Sequence, residues 1–281
     1  MYTKVYYVSQ GSKKSQRSKR RNGQSTFRLF DPVDLFGAAM NRDSRHSAIL
    51  HELRERLRQI DCSRVPAPES GALSSTGIAA LDGLLPSSAF RAGMIVEWVM
   101  EGPGSGAARL ALPMAIEALQ SGGALVVIDD RQEFYPPAAL RLGIDLDRTI
   151  VVRPRNRQET VWTFEQALRC TGVAATLGWI DTLPDRVFRR LQLAAEHGAG
   201  LGLFLRPAAA RREPTWADIR WLVQPVPGNV SSGRRLRVEL LHCRGGTGGG
   251  ALPLEISDET GAVLMVPPLA APASVPRAAR A

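Results

Sequence analysis

Gly93-Met-Ile-Val-Glu-Trp-Val-Met-Glu-Gly-Pro-Gly-Ser-Gly-Ala-Ala-Arg-Leu110 decides the fold. An apolar run of strand length enters a turn with three glycines in five residues, and a helical pattern leaves it. Strand, glycine turn and helix in that order open a βαβ unit. The flanking sequence repeats the rhythm. Runs of near-continuous hydrophobicity predict strands at Ile95–Val99, Ala124–Ile128, Thr149–Val152, Ala174–Ile180 and Leu201–Leu205. Between them the spacing predicts helices over 107–120, 136–142, 158–169 and 184–197, the last stopped by Gly198. Strands apolar on both sides belong to a sheet covered on both faces. The expected class is therefore α/β: a doubly wound, mostly parallel sheet with helices on both faces and right-handed crossovers.

Further along, the pattern changes. Leu236, Val238 and Leu240 alternate with Arg235, Arg237 and Glu239, which predicts a half-buried strand. Leu252–Ile256 and Ala262–Val266 flank Ser257-Asp-Glu-Thr-Gly261 as a hairpin, so C-terminal antiparallel strands should extend the sheet. Five segments follow: a basic tail with an apolar patch, expected to be disordered (1–43), an N-terminal helix (44–62), a linker (63–74), the α/β core (75–266) and a mobile Pro/Ala tail (267–281).

Composition excludes several classes. The 281 residues are 44% hydrophobic and 22% charged, which is globular, and no apolar run reaches the roughly 18–20 residues that span a bilayer. No signal peptide is recognisable, so a cytoplasmic or nucleoid-associated protein without membrane contact is expected. Cys62, Cys170 and Cys243 are far apart, and His46 and His51 lack an acidic cluster, so neither disulfides, zinc nor another metal is indicated. Residues 1–30 carry eight Lys/Arg and no Asp or Glu, so of the net charge of +9 only about +1 falls on the other 251 residues. Lys13, Lys14, Arg17, Lys19, Arg20 and Arg21 are candidate phosphate contacts to nucleic acid, or simply a solvated tail. Met40 offers an alternative start that would remove them.

The segments Ser75-Thr-Gly-Ile-Ala-Ala-Leu-Asp-Gly-Leu-Leu85, Gly93-Met-Ile-Val-Glu97, Tyr135 to Asp147, Phe188 to Glu196 and Arg235 to Gly246 together resemble RecA-type ATPases, and among them the ImuA family of bacterial mutagenesis cassettes. The resemblance covers about two thirds of the chain, from Ser75 to Val266. It implies a RecA-like fold and a role in the DNA-damage (SOS) response. The partners it implies are a Y-family-polymerase-like adaptor and an error-prone polymerase, with RecA as a further contact. The implied function is support of translesion synthesis and induced mutagenesis.

In a phosphate loop, backbone N–H groups cradle the phosphates, a Lys reaches the β/γ-phosphates and a Ser/Thr hydroxyl holds Mg²⁺. Gly102, Gly104, Ser105 and Gly106 retain the turn, but Ala107 and Ala108 stand where Lys and Ser/Thr belong, and Glu101 adds negative charge. Arg109, about 200° round a helix from Ala107, should point away. By the resemblance, Arg131 replaces the water-activating glutamate and Trp179 the Mg²⁺-associated aspartate, with Asp181 two residues on. Pro207 replaces a glutamine that couples nucleotide state to DNA. A pseudo-ATPase with no catalytic residue, no cofactor and no metal is therefore expected. A divergent DNA-dependent ATPase using Asp181 and a SulA-like cell-division inhibitor are the alternatives.

Partner contacts are expected at Leu50, Leu53 and Leu57 on the N-terminal helix, which docks on either a neighbouring subunit or its own core. Arg186, Arg189 and Arg190 form a ridge, either solvated or facing a partner, over an inward face of Val187, Leu191 and Ala194. Pro32-Val-Asp-Leu-Phe36 faintly resembles a sliding-clamp motif without its glutamine; a local apolar anchor is the simpler role. His242 and Arg244 match lysines that reach nucleotide across the RecA interface, and are expected here to serve packing or partners. Trp162, Trp179, Trp216 and Trp221 are expected to pack rather than stack on bases.

Overall fold

The computed structural model describes residues 6–8, 75–86, 90–102, 104–227, 233–246, 248–257 and 262–265. Leu50, Leu53, Leu57, the six basic tail residues, the clamp-like pentapeptide, the linker and the Pro/Ala tail lie outside them. Ten strands form one sheet: β1 (Tyr6–Val8), β2 (Ile95–Met100), β3 (Ala124–Ile128), β4 (Thr149–Val152), β5 (Val173–Trp179), β6 (Leu201–Pro207), β7 (Ile219–Pro225), β8 (Gly233–Cys243), β9 (Ala251–Ser257) and β10 (Val263–Met265). Their order is β1-β4-β3-β5-β6-β2-β7-β8-β9-β10. Pairings from β1 to β7 are parallel, and those from β7 to β10 are antiparallel. The expected doubly wound class with C-terminal antiparallel strands is what the chain adopts.

Helix α1 (Ala79–Asp82) is a single turn before β2; α2 (Ala107–Gln120), α3 (Pro136–Arg141), α4 (Arg157–Arg169) and α5 (Asp185–Gly198) are the crossovers. Leu110, Met114 and Leu119 of α2 and Ala139 of α3 pack on one face of the sheet against Trp98, Leu203 and Trp221. Phe164 and Leu168 of α4 and Phe188 and Leu191 of α5 cover the other face against Ile95, Val126 and Phe204. All five residues of β3 are buried because both faces are covered. Along β8, Leu236, Val238 and Leu240 are buried while Arg237 is exposed, so the predicted alternation holds. Each fully buried Leu or Phe contributes about 1.5–3 kcal/mol through removal from water. Asn156 starts α4: its side chain accepts the Glu159 N–H at 2.9 Å, and Glu159 Oε2 accepts the Arg155 N–H at 3.0 Å.

Three differences from expectation have physical causes. The apolar pattern does not reveal β7 because Arg220 interrupts it, and that arginine is buried against Glu97 of β2 and the Glu213 carbonyl. A three-residue strand, β1, adds to the sheet edge beside β4 within the segment expected to be a disordered tail. Gly198 does not stop α5 from outside: it is the last helical residue, and Ala199 takes the left-handed conformation (φ 58°). Glycine is needed at 198 for space, since a Cβ there would lie 2.0 Å from the Leu168 carbonyl oxygen of α4. Gly198→Ala should therefore force the two helices apart and cost about 1–3 kcal/mol in chemical denaturation.

Candidate functional site

The glycine turn leaves β2 with the Glu101 N–H donating to the Val223 carbonyl of β7 at 3.0 Å. Gly102, Gly104 and Gly106 all have positive φ (92°, 67° and 83°), which only glycine adopts without strain. Gly106 caps α2, and its carbonyl accepts the Leu110 N–H. Ser105 is buried, its Oγ accepting the Ala107 N–H at 3.4 Å. Ala107 is 1% exposed.

The C-terminal strands close on this turn. A Cβ on Gly106 would meet Leu236 of β8 at 2.9 Å and Ile256 of β9 at 3.5 Å. Arg234 Nη1 donates to the Gly104 carbonyl at 2.6 Å, and Gln224 Nε2 donates to Glu101 Oε2. A guanidinium and apolar side chains from the chain itself thus sit against the turn, and the carboxylate of Glu101 is held beside it.

Two strands away, β3 and β5 end side by side. Arg131, the expected stand-in for a catalytic glutamate, bonds directly to Asp181, the carboxylate that the alternative ATPase would use. Glu133 lies 3.7 Å from the same guanidinium. Partial burial alone would lower the Arg131 pKa, but the bond and charge of Asp181, with Glu133 and Asp130, hold it above its ordinary value. Burial raises the Asp130 carboxyl; Arg131 opposes this, while Asp181 and Asp129 add to it. Because its folded value is raised, Asp130 favours folding fully below its unfolded value near 3.8 and progressively less as pH rises through the folded one. Asp130→Asn should therefore stabilise the protein at neutral pH, by less than about 1 kcal/mol because solvent screens the group, with no gain at about pH 3. Thermal midpoints at the two pH values check this.

Beneath β6, β2 and β7 lies a buried ionic cluster that sequence reasoning missed. Glu97 Oε1 accepts Arg206 Nη1 at 2.8 Å, and its Oε2 accepts Arg220 Nε and Thr215 Oγ1, each at 2.6 Å. Glu213 receives Arg206 Nη2 at 2.6 Å. The available signal was one charged residue inside each of three otherwise apolar runs. Asp218, also buried, pairs with Arg91 at 2.8 Å and Arg244 at 3.1 Å and accepts the Ile95 N–H. Arg244 thus pairs with a buried carboxylate of its own chain, although it is exposed, as His242 is.

The arginine ridge divides. Arg190 pairs with Glu165 of α4 at 2.9 Å, and Arg189 bonds Gln192 and lies 4.7 Å over the Trp216 ring. Arg186 is exposed, and Leu191 and Ala194 are buried inward with Val187 packed beside them. Trp179 and Trp221 are buried in the core, and Trp221 stacks on Trp98 at 6.0 Å. Among the described residues no cluster has the composition of a metal site, and no helix is long and apolar enough to cross a membrane.

The strand order, the glycine turn after β2 and the two covered faces define a RecA-like α/β domain. The RadB recombinase superposes with a TM-score of 0.53 at 18% identity, covering 69% of this chain and all of that one. Within that class the chain resembles ImuA: it is 36% identical to Protein ImuA of Caulobacter vibrioides over 146 residues, 47% of this chain and 60% of that protein. It is also 28% identical to the cell division inhibitor SulA of Photorhabdus laumondii over 112 residues, 40% of this chain and 63% of SulA. RecA of Rhodopirellula baltica is 34% identical over 99 residues, 35% of this chain and 26% of RecA. The chain thus spans less than two thirds of the length of these curated relatives. No family model matches it.

Proposed function

We propose that this chain is a non-catalytic RecA-like adaptor of the DNA-damage (SOS) response, supporting translesion synthesis and induced mutagenesis through protein contacts. Its similarity to ImuA supports the setting. The observation that carries the non-catalytic part is the turn itself. Two methyl groups, Ala107 and Ala108, stand where a phosphate loop needs an ammonium and a hydroxyl. The Arg131–Asp181 pair supports the same reading, because it engages the carboxylate that the alternative ATPase would use, and Arg234 sits against the turn on the Gly104 carbonyl. A RecA-like body that keeps its surfaces without hydrolysis is suited to cap or join RecA-like interfaces. The partners would be a Y-family-polymerase-like adaptor, an error-prone polymerase and RecA.

Titration with Mg²⁺-ATP, followed by phosphate release with and without single-stranded DNA, tests the catalytic half. Neither binding nor turnover is expected, and micromolar, Mg²⁺-dependent affinity would overturn it. Affinity purification from damage-treated cells tests the setting: polymerase components and RecA should co-purify. A second reading rests on the SulA similarity, a cell-division inhibitor; capture of the division GTPase in place of polymerase components would favour it.

A further inference from the structure

A groove of about 720 Å³ opens between α1, α2, the end of α3 and β10. Ile78, Pro113, Ile116, Leu142, Val263 and Leu264 give it an apolar lining. Glu117 and Arg141, one charge of each sign, are the charged residues that line it, so no net charge opposes an apolar occupant. β10 is the last strand of the sheet at this end, and its Leu264 and Met265 are 57% and 61% exposed. Large apolar side chains left open at the rim of an apolar groove mark a surface that another segment covers.

The chain itself enters along this groove. Ser75 Oγ donates to Asp82 Oδ2 at 2.6 Å and the Thr76 N–H to Asp82 Oδ1 at 2.7 Å, which ties the approach to α1. Gly77 then passes so close to α2 that a Cβ on it would lie 2.8 Å from the Pro113 Cβ. Whatever precedes Ser75 is therefore tethered at the groove. The linker 63–74 comes first, and its twelve residues reach at most about 40 Å. Before it stands the segment 44–62, in which Leu50, Leu53, Leu57 and Ile60 recur at i, i+3, i+7 and i+10. That is the anchor spacing with which an amphipathic helix lies in an apolar groove. A helix so patterned draws most of its stability from burying that face.

We propose that the apolar face of residues 44–62 docks in this groove, within the chain that carries both. The tether favours the same chain over a second copy, because a short linker holds the segment at a high effective concentration. The C-terminal tail leaves from the same rim, at Met265, but its composition suits the groove less. Residues 267–281 hold two large apolar side chains, Leu269 and Val275, against five in 44–62, where Ile49 adds to the four anchors. The apolar area that docking can remove from water follows that count. The inference does not rest on the adaptor role, since a catalytic chain would have the same groove.

Hydrogen–deuterium exchange of the full chain, read peptide by peptide, tests it. Amides of 44–62 should be protected to the same degree at every protein concentration. L53E/L57E should lower that protection about tenfold or more, since each leucine returned to water is worth about that factor. The same variant should speed exchange in β10. A79E/L264E puts two charges into the groove at exposed positions and should release 44–62 to a similar extent. L269E/V275E, in the tail, should change neither segment. The proposal is overturned if 44–62 exchanges in the wild type as fast as a free peptide. It is equally overturned if A79E/L264E, with β3 and β5 still protected, leaves 44–62 protected. Protection that falls on dilution would assign the groove to a second copy, and loss of β10 protection in L269E/V275E would assign it to the tail; either result overturns docking within one chain. Should A79E/L264E not fold, L53E/L57E decides alone, and unchanged exchange in β10 overturns the proposal.

Discussion

Glu97→Ala should cost about 3–5 kcal/mol of folding stability, the range for removing one partner from a buried ion pair. The carboxylate is fully buried between two guanidiniums from the neighbouring strands, Arg206 of β6 and Arg220 of β7, whose side chains are 0% and 6% exposed. Removing it leaves two buried cations without their shared carboxylate; the Glu213 carboxylate pairs with Arg206 alone, and Arg220 keeps only the Glu213 backbone carbonyl at 2.8 Å. A domain of this kind is stable by only about 5–15 kcal/mol, so a large share would be lost. Glu97→Gln keeps one acceptor oxygen, turns the other into an NH2 donor and removes the charge, and should fall between the alanine variant and the wild type. Urea denaturation measures all three; a loss below about 1 kcal/mol for Glu97→Ala would show that water or a shifted Glu213 compensates. Replacing Glu97, Arg206 and Arg220 together by apolar residues of similar volume should cost much less than the single change, because no stranded charge remains.

The same cluster explains how far the sequence could be read. The bounds of β3, β4 and α2 were legible because their apolar patterns depend only on nearest neighbours along the chain. β7 was not, since Arg220 looks like a surface residue until Glu97, 123 residues away, is placed beside it. Gly198 was legible as a glycine near a helix end, but its reason, the Leu168 carbonyl of another helix, was not. The glycine turn divides in the same way. Ala107 and Ala108 declare themselves in sequence, whereas Arg234 is 130 residues from the carbonyl it contacts. Local chemistry is written in order along the chain; contacts between distant strands are not.

Restoring the missing groups should therefore fail. A107K/A108T is expected to gain no measurable Mg²⁺-ATP affinity and to lose about 2–4 kcal/mol of stability, mainly from burying an ammonium. Ala107 is 1% exposed, and the neighbouring Gly106 already abuts Leu236 and Ile256. A lysine there must either remain buried or push β8 and β9 off the turn. In a working loop the nucleotide phosphates would balance its charge. Here Glu101 is the nearby anion on the turn, and it is already bonded by Gln224. Repair of the turn would also leave Asp181, the carboxylate that the alternative ATPase would use, bonded to Arg131. Denaturation and nucleotide titration of the double variant read the two effects separately. Micromolar Mg²⁺-ATP affinity with unchanged stability would mean that β8 and β9 yield to a bound nucleotide, and that the turn is two substitutions from function.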